Sequence, residues 1–359
     1  MKKKLLVIAL AFAMTLAFAA CGGGGGSDAP AGDSAAEPNS GVGGIVFALP
    51  DGWTPTGINI GSYSSYDIPD TDCSLVVNSF GEEQLAEQNE WSEEKLDSVQ
   101  AYYDKYFTLS EEDAKEKNIE NSKIKVCGVD ADYNKFTGGK DGVYELGTYW
   151  MDDNTVYSMY LYNSSNFDET GKIKDDATPI SDDQIKQFEA ITASVQKGDG
   201  TALQKEALAA IGNSFGSFTY EIPEGYTVSE YSGNFINLEK DGSSITLNLN
   251  STTADDLQYY TMADGSVPSS LQELYDQRLY EGAETTTIAG CEGFVSKWPD
   301  ENGQYYNVDA TFLGDDALYS VYMGGNAYDE NGNLRDDAEA LTEDDLAAFD
   351  ALLASLTKK

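Results

Sequence analysis

The stretch DENGNLRDD, residues 329–337, is spaced like a calcium loop. Asp329, Asn331 and Asn333 fall at its first, third and fifth positions, and oxygen-bearing side chains at that spacing suit a hard cation. Glycine stands at the fourth position, however, and Ala340 occupies the place of the bidentate glutamate that completes such a loop. A sister stretch, DETGKIKDD at 168–176, puts Thr170 and Lys172 at the equivalent ligand positions. Acid and glycine recur while the ligands do not, which is how a polar turn behaves. Calcium is the one cofactor the chain is equipped to consider, and the turn is the preferred reading.

Tyrosines form the second candidate set. A two-residue turn at Asp153-Asn154 would pair Trp150 with Tyr157, Thr148 with Met159 and Leu146 with Leu161. Side chains alternate along a strand, so those six share one apolar face. Tyr149, Tyr160 and Tyr162 then lie on the opposite face with Glu145 and Gly147. Further along, Phe312 with Tyr319, Ala310 with Val321 and Val308 with Met323 repeat the apolar face, and Tyr322, the copy of Tyr160, pairs with Asp309. Tyrosine joins apolar area to a hydroxyl, so such rings beside acids suit a sugar, a peptide or a cationic ligand. The alternative is that helices cover both faces and the tyrosines are packed. Trp150 goes with the core.

Other chemistries are poorly supplied. The chain has no histidine, which removes Ser-His-Asp and Cys-His nucleophile systems and every His-containing zinc motif. The glycines at 22–26 lead into Ser27 rather than Gly-Lys-Ser/Thr, so they do not write a phosphate loop. Paired carboxylates could hydrolyse glycosides, but with 62 Asp and Glu adjacent pairs arise by chance. An extracytoplasmic hydrolase using carboxylates or Ser-Lys stays a rival reading; a non-catalytic role is preferred.

These residues need an address and a scaffold. Lys2, Lys3 and Lys4 precede an apolar run from Leu5 to Ala20, which is the form of a secretory signal over residues 1–20. The ending Phe18-Ala19-Ala20-Cys21 resembles the bacterial lipobox, with Phe18 departing from its usual leucine. The resemblance implies cleavage before Cys21 and lipidation of its thiol. Residues 21–43 are rich in Gly, Ser, Ala, Pro and acid and are expected to be a disordered tether, reaching on the order of 25 Å. The expected product is an extracytoplasmic protein, lipid-anchored to the bacterial cell membrane.

Lys and Arg number 22 against the 62 acids, for a net charge of −40. That surface repels nucleic acid and anionic headgroups, leaving an envelope protein or a small molecule as the expected partner. Three cysteines follow Cys21, namely Cys73, Cys127 and Cys291, and an odd number leaves at least one thiol without a partner in the chain. Cys73 and Cys127 could bridge, or all three could be buried thiols.

The rest of the chain is written twice. FALPDGWTP at 47–55 returns as YEIPEGYTV at 220–228, Val126-Cys127-Gly128 as Ile288-Ala289-Gly290, and ISDDQIKQFEAITASV as LTEDDLAAFDALLASL. Nearly constant spacing means tandem domains, 44–197 and 215–359, joined by a linker at 198–214. The first copy carries extra residues after its early strands. Within it, strands at Ile45–Leu49 and Ser74–Phe80 precede a helix from Ser92 to Phe107, with Leu96, Val99, Tyr103 and Tyr106 on one face. Three further strands and a closing helix follow. In that helix Ile185, Phe188, Ile191 and Val195 match Leu346, Phe349, Leu352 and Leu356, after the hydroxyl caps Ser181 and Thr342. The expectation is α+β: two tandem domains, each an antiparallel β-sheet packed with helices.

An apolar–Pro–x–Gly–aromatic start, a middle Ile/Val-x-Gly strand and a last helix ending in a small residue and serine resemble the PsbP-like superfamily. That group includes the photosystem II extrinsic protein P and the Ran-binding Mog proteins. The resemblance implies an α/β/α sandwich and binding or scaffolding rather than catalysis. Pro50, Gly52 and Trp53 match as structural positions, for a turn and for packing.

Overall fold

The computed structural model describes residues 37–359, apart from 93, 169, 264, 280–282, 301, 326, 329–332 and 336–337. The leader, Cys21, most of the tether, Asp329 and Asn331 lie outside the described residues. Among the described residues no helix is long and apolar enough to cross a membrane. The fold is mixed α and β, with large antiparallel sheets, and the chain divides into two compact units at Gln204/Lys205.

The first unit runs β1 (Ser40–Val42), β2 (Ile45–Phe47), β3 (Thr54–Asn59), β4 (Tyr63–Asp67), β5 (Ser74–Phe80), α1 (Glu82–Trp91), α2 (Val99–Tyr106), α3 (Glu111–Glu116), β6 (Ile119–Val126), β7 (Val129–Phe136), β8 (Glu145–Asp152), β9 (Thr155–Tyr162), α4 (Asp182–Ser194) and β10 (Gln196–Lys197). Its main sheet has the antiparallel order β3-β4-β5-β9-β8-β7-β6. A small second sheet joins β1, β2 and β10.

After α5 (Gly200–Ile211), the second unit repeats the order: β11 (Ser214–Phe215), β12 (Phe218–Thr219), β13 (Tyr226–Ser232), β14 (Phe235–Lys240), β15 (Thr246–Thr253), α6 (Leu271–Arg278), β16 (Glu284–Ile288), β17 (Cys291–Pro299), β18 (Tyr305–Leu313), β19 (Ala317–Gly324), α7 (Glu343–Ser355) and β20 (Thr357–Lys358). Its main sheet reads β13-β14-β15-β19-β18-β17-β16, and β11, β12 and β20 form the small sheet.

The registers expected at the hairpins are present. Trp150 faces Tyr157, Thr148 faces Met159 and Leu146 faces Leu161; Phe312 faces Tyr319, Ala310 faces Val321 and Val308 faces Met323. Asp153 and Asn154 both take positive φ, 46° and 59°, as a type I′ turn requires. On the apolar face of the first unit, Trp150, Met159 and Leu161 pack with Phe188 and Ile191 of α4 and with Val195 just after it. In the second unit Phe312, Val321 and Met323 pack with Phe349, Leu352 and Leu356. Each closing helix begins at a capping box, Ser181 with Gln184 and Thr342 with Asp345. The other face carries a smaller cluster in which Phe80, Val99, Tyr102 and Val156 meet beneath α1 and α2.

Four expectations are corrected. The Ile/Val-x-Gly motif is no strand: Cys127-Gly128 (φ 52° and 81°) and Ala289-Gly290 (φ 49° and 81°) turn β6 into β7 and β16 into β17. Four strands, not three, therefore lie between the preceding helix and each closing helix, because paired positive φ angles fold one continuous stretch into a hairpin. The helix expected from Ser92 starts at Val99, because the Ser98 hydroxyl accepts the Ala101 amide and caps it there. Leu96 lies before that cap yet still packs with Tyr103 and Tyr106. The first strand ends at Phe47 rather than Leu49, since Asn39 binds the Leu49 amide (2.7 Å) and carbonyl (3.1 Å) through its side chain.

Residues 198–214 hold α5, which is anchored by the buried Gln204. Its side-chain amide donates to the carbonyls of Asn59 (3.0 Å) and Tyr63 (2.8 Å) and accepts from the Gly61 amide (2.8 Å), satisfying the β3–β4 turn of the first unit. Cys73, Cys127 and Cys291 are free thiols, and burial pushes the Cys73 and Cys127 thiols up.

Phe188→Ala and Phe349→Ala, each at a fully buried position, are expected to lose about 3–5 kcal/mol on urea unfolding. A loss below about 1 kcal/mol would mean that the closing helices do not hold the cores.

Candidate functional site

The pleat that buries Trp150 turns its neighbours to the opposite face. Two cross-strand rows result in the first unit: Asn134, Gly147 and Tyr160, then Asp132, Tyr149 and Ser158. Tyr149 is buried, edge-on to Tyr160 at 5.2 Å and tilted against Phe107 at 5.2 Å. Its phenol reaches over Gly147, where any Cβ would collide with it. Asp132, only 3% exposed, is held by Lys123 at 2.6 Å and by the Tyr103 hydroxyl, which donates to it at 3.1 Å from α2. Tyr162 lies across from Glu145, and both are partly buried. Burial pushes the Glu145 carboxyl from its ordinary 4.5 up to about 7. Burial also raises the phenols of Tyr149, Tyr160 and Tyr162, with the Glu145 charge adding to each.

The second unit presents the same two rows with other side chains: Ser296, Asp309 and Tyr322, then Phe294, Thr311 and Ser320. Together with Arg278 they line a recess of about 300 Å³. Arg278 comes from the last turn of α6, which is seated by the buried Leu274 and Tyr275 against Phe294 and Leu318. Its guanidinium stands 5.5 Å from the centre of the Tyr260 ring. Burial pushes the Asp309 carboxyl up, opposed by a hydrogen bond from Ser296 and by the positive charge of Arg278. Tyr322 is raised by burial, and Gly324 leaves room for its ring.

The two faces thus differ at chosen points of one scaffold. Where the first unit has Gly147 beneath the ring of Tyr149, the second has Asp309 and Thr311. The large ring occupies the space in one; a carboxyl and a small hydroxyl leave it open in the other. Of the tyrosines expected from sequence, Tyr149, Tyr160 and Tyr162 do share a face, with Tyr149 packed; Tyr322 holds the matching place in the second unit and borders the recess. Arg278, Ser296, Thr311 and Ser320 were not anticipated. Their signal lies in the alignment of the two copies, where Gly147 and Tyr149 give way to Asp309 and Thr311.

Of the calcium-loop residues, only Asn333 lies within the described residues, where it is exposed. Among the described residues no group of three His, Cys, Asp or Glu is placed to hold a metal. In the sister loop, Asp168 accepts the amides of Thr170 (2.8 Å) and Lys172 (3.0 Å) and the Thr170 hydroxyl (2.7 Å), and those bonds hold its carboxyl below the usual range. That carboxylate organises its own turn.

No family model matches the chain, and no curated protein matches it. Among solved structures, the chain is similar to one from Bacteroides thetaiotaomicron VPI-5482, at 10% identity and a TM-score of 0.21, over 35% of this chain and 48% of that one. It thus spans about half the length of that structure. It is also similar to the Tle4-Tli4 complex, at 14% identity and a TM-score of 0.26, over 89% of this chain and 96% of that one. At such scores neither likeness carries an argument.

Glu145 generates a pH test. Its folded state binds the proton more tightly than the unfolded chain does, so its contribution to stability falls as pH rises from 4.5 through about 7. Glu145→Gln removes that loss and is expected to raise the melting temperature more at about pH 8 than at about pH 5. An equal change at both values would show that Glu145 titrates normally.

Proposed function

We propose that this chain is a lipid-anchored extracytoplasmic protein of the bacterial envelope, whose two units are PsbP-like domains serving as a non-catalytic binding module. The basic leader, apolar run and Cys21 support the anchor, and residues 22–44 support a tether between membrane and fold. Helices packed on both faces of the first unit's sheet, by way of α4 and of α1 with α2, support the PsbP-like sandwich.

One observation carries the binding role: the recess of the second unit is open at the positions the first unit fills. Its lining supplies hydrogen-bond donors and acceptors and two ring walls, which is the make-up of a small-ligand site. Among the described residues Asp309 is the one carboxylate of that lining, whereas glycoside hydrolysis needs two facing carboxyl groups.

Metabolic labelling with an alkyne fatty acid is expected to mark the wild-type chain and not Cys21→Ala. Absent label, or label that survives the substitution, would remove the anchor. Crosslinking on intact cells is expected to trap an adduct that fades in the double variant Asp309→Gly/Thr311→Tyr, which rebuilds the first unit's Gly147 and Tyr149 in the recess. Turnover of a chromogenic glycoside or ester by the purified chain, lost in Asp309→Asn, would overturn the non-catalytic reading.

A further inference from the structure

We infer that the recess of the second unit binds a small zwitterion of the α-amino acid class, its carboxylate on Arg278 and its ammonium on Asp309. This rests on the reading of that recess as a binding site and assigns the ligand's chemistry.

The recess is two-signed. Asp309 rises from the sheet, in the middle strand of the Ser296–Asp309–Tyr322 row, and Arg278 reaches in from the end of α6. Arg278 acts on Asp309 through its charge, and among the described residues no ion pair joins the two. A ligand carrying one charge of each sign satisfies both walls. A guanidinium fork matches a carboxylate in bidentate geometry, and a carboxylate with a hydroxyl beside it accepts the hydrogens of an ammonium.

Size and field narrow the class. About 300 Å³ lies at the small end of ligand sites. A chain of net charge −40 repels simple anions at long range. A simple cation would satisfy Asp309 and leave Arg278 without a counter-charge among the described lining residues. A neutral zwitterion meets neither penalty. Ser296, Thr311 and Ser320 add hydroxyls along the floor, and Phe294 and Tyr322 give apolar walls to a short side chain.

The first unit supports the assignment by contrast. The positions of Asp309 and Thr311 are held there by Gly147 and Tyr149, and the position of Phe294 by Asp132, which is already bound by Lys123 and Tyr103. One copy thus satisfies its charge internally, and the other presents opposite charges to an open space.

The test is isothermal titration of the purified chain with the common L-amino acids, and with ethylamine, propionate and glucose as partial or unrelated probes. At least one amino acid is expected to bind with a Kd in the range of about 1 μM to 1 mM. Ethylamine and propionate are expected to bind at least about tenfold more weakly, a difference of about 1.4 kcal/mol. Arg278→Gln and Asp309→Asn should each weaken binding at least about tenfold, the double variant Asp309→Gly/Thr311→Tyr should abolish it, and the exposed Lys186→Gln should leave it unchanged. Circular dichroism melts confirm that each variant is folded. The assignment is overturned if no amino acid binds, if propionate or glucose binds as tightly as any amino acid, or if either charge substitution leaves affinity intact. Such a failure would leave the labelling and crosslinking outcomes standing, so the ligand class and the envelope role fail separately.

Discussion

Each unit depends on one aromatic pair across its central hairpin. Trp150 and Tyr157 stack at 5.4 Å, and Phe312 and Tyr319 at 5.3 Å. A one-residue slip in either hairpin would exchange every inward side chain for an outward one, so the pair sets which face is core. The same tyrosine ties down the small sheet. The Tyr157 phenol bonds the backbone at Gly44, and the Tyr319 phenol accepts the Ser217 amide at 3.0 Å. One residue therefore holds register, core and edge at once.

Once that register is set, the candidate face follows by parity. Residues between the core positions must point away from the closing helix, whatever their chemistry. Side chains on that face can therefore differ between the two units without touching the core. The first copy spent its face on packing, with Tyr149 over Gly147 and Asp132 fully bonded. The second keeps Asp309 partly desolvated, a state that costs free energy unless hydrogen bonds and an opposite charge offset it. Ser296 and Arg278 supply part of that offset, and a ligand would supply more.

Much of the scaffold is legible in the sequence. The six-residue apolar faces of both hairpins, the Ser74–Phe80 strand and both capped closing helices follow from period and cap chemistry, which act within a few residues. The errors cluster where local signals compete. Val-Cys-Gly reads as strand by composition, yet two positive φ angles make it a turn, and a cysteine or alanine at the first of them gives little warning. Leu96 fits the helical face and argues for a start near Ser92, while the Ser98 cap decides the start. The division between the two units falls within residues 198–214, but nothing in their composition shows that Gln204 satisfies the β3–β4 turn.

The sequence by itself determined the recurrence of phrases between its two halves, the excess of acidic residues and the parity of the hairpins, since each is a pattern of residues along one chain. It placed Tyr149, Tyr160 and Tyr162 on one face for the same reason. Only the tertiary structure decided which of those faces is filled and which is open. Arg278 is more than thirty residues from Asp309 in the chain, and no periodicity links them. They face one recess because Leu274 and Tyr275 seat α6 over β17 and β19, a packing event between elements that no local pattern encodes.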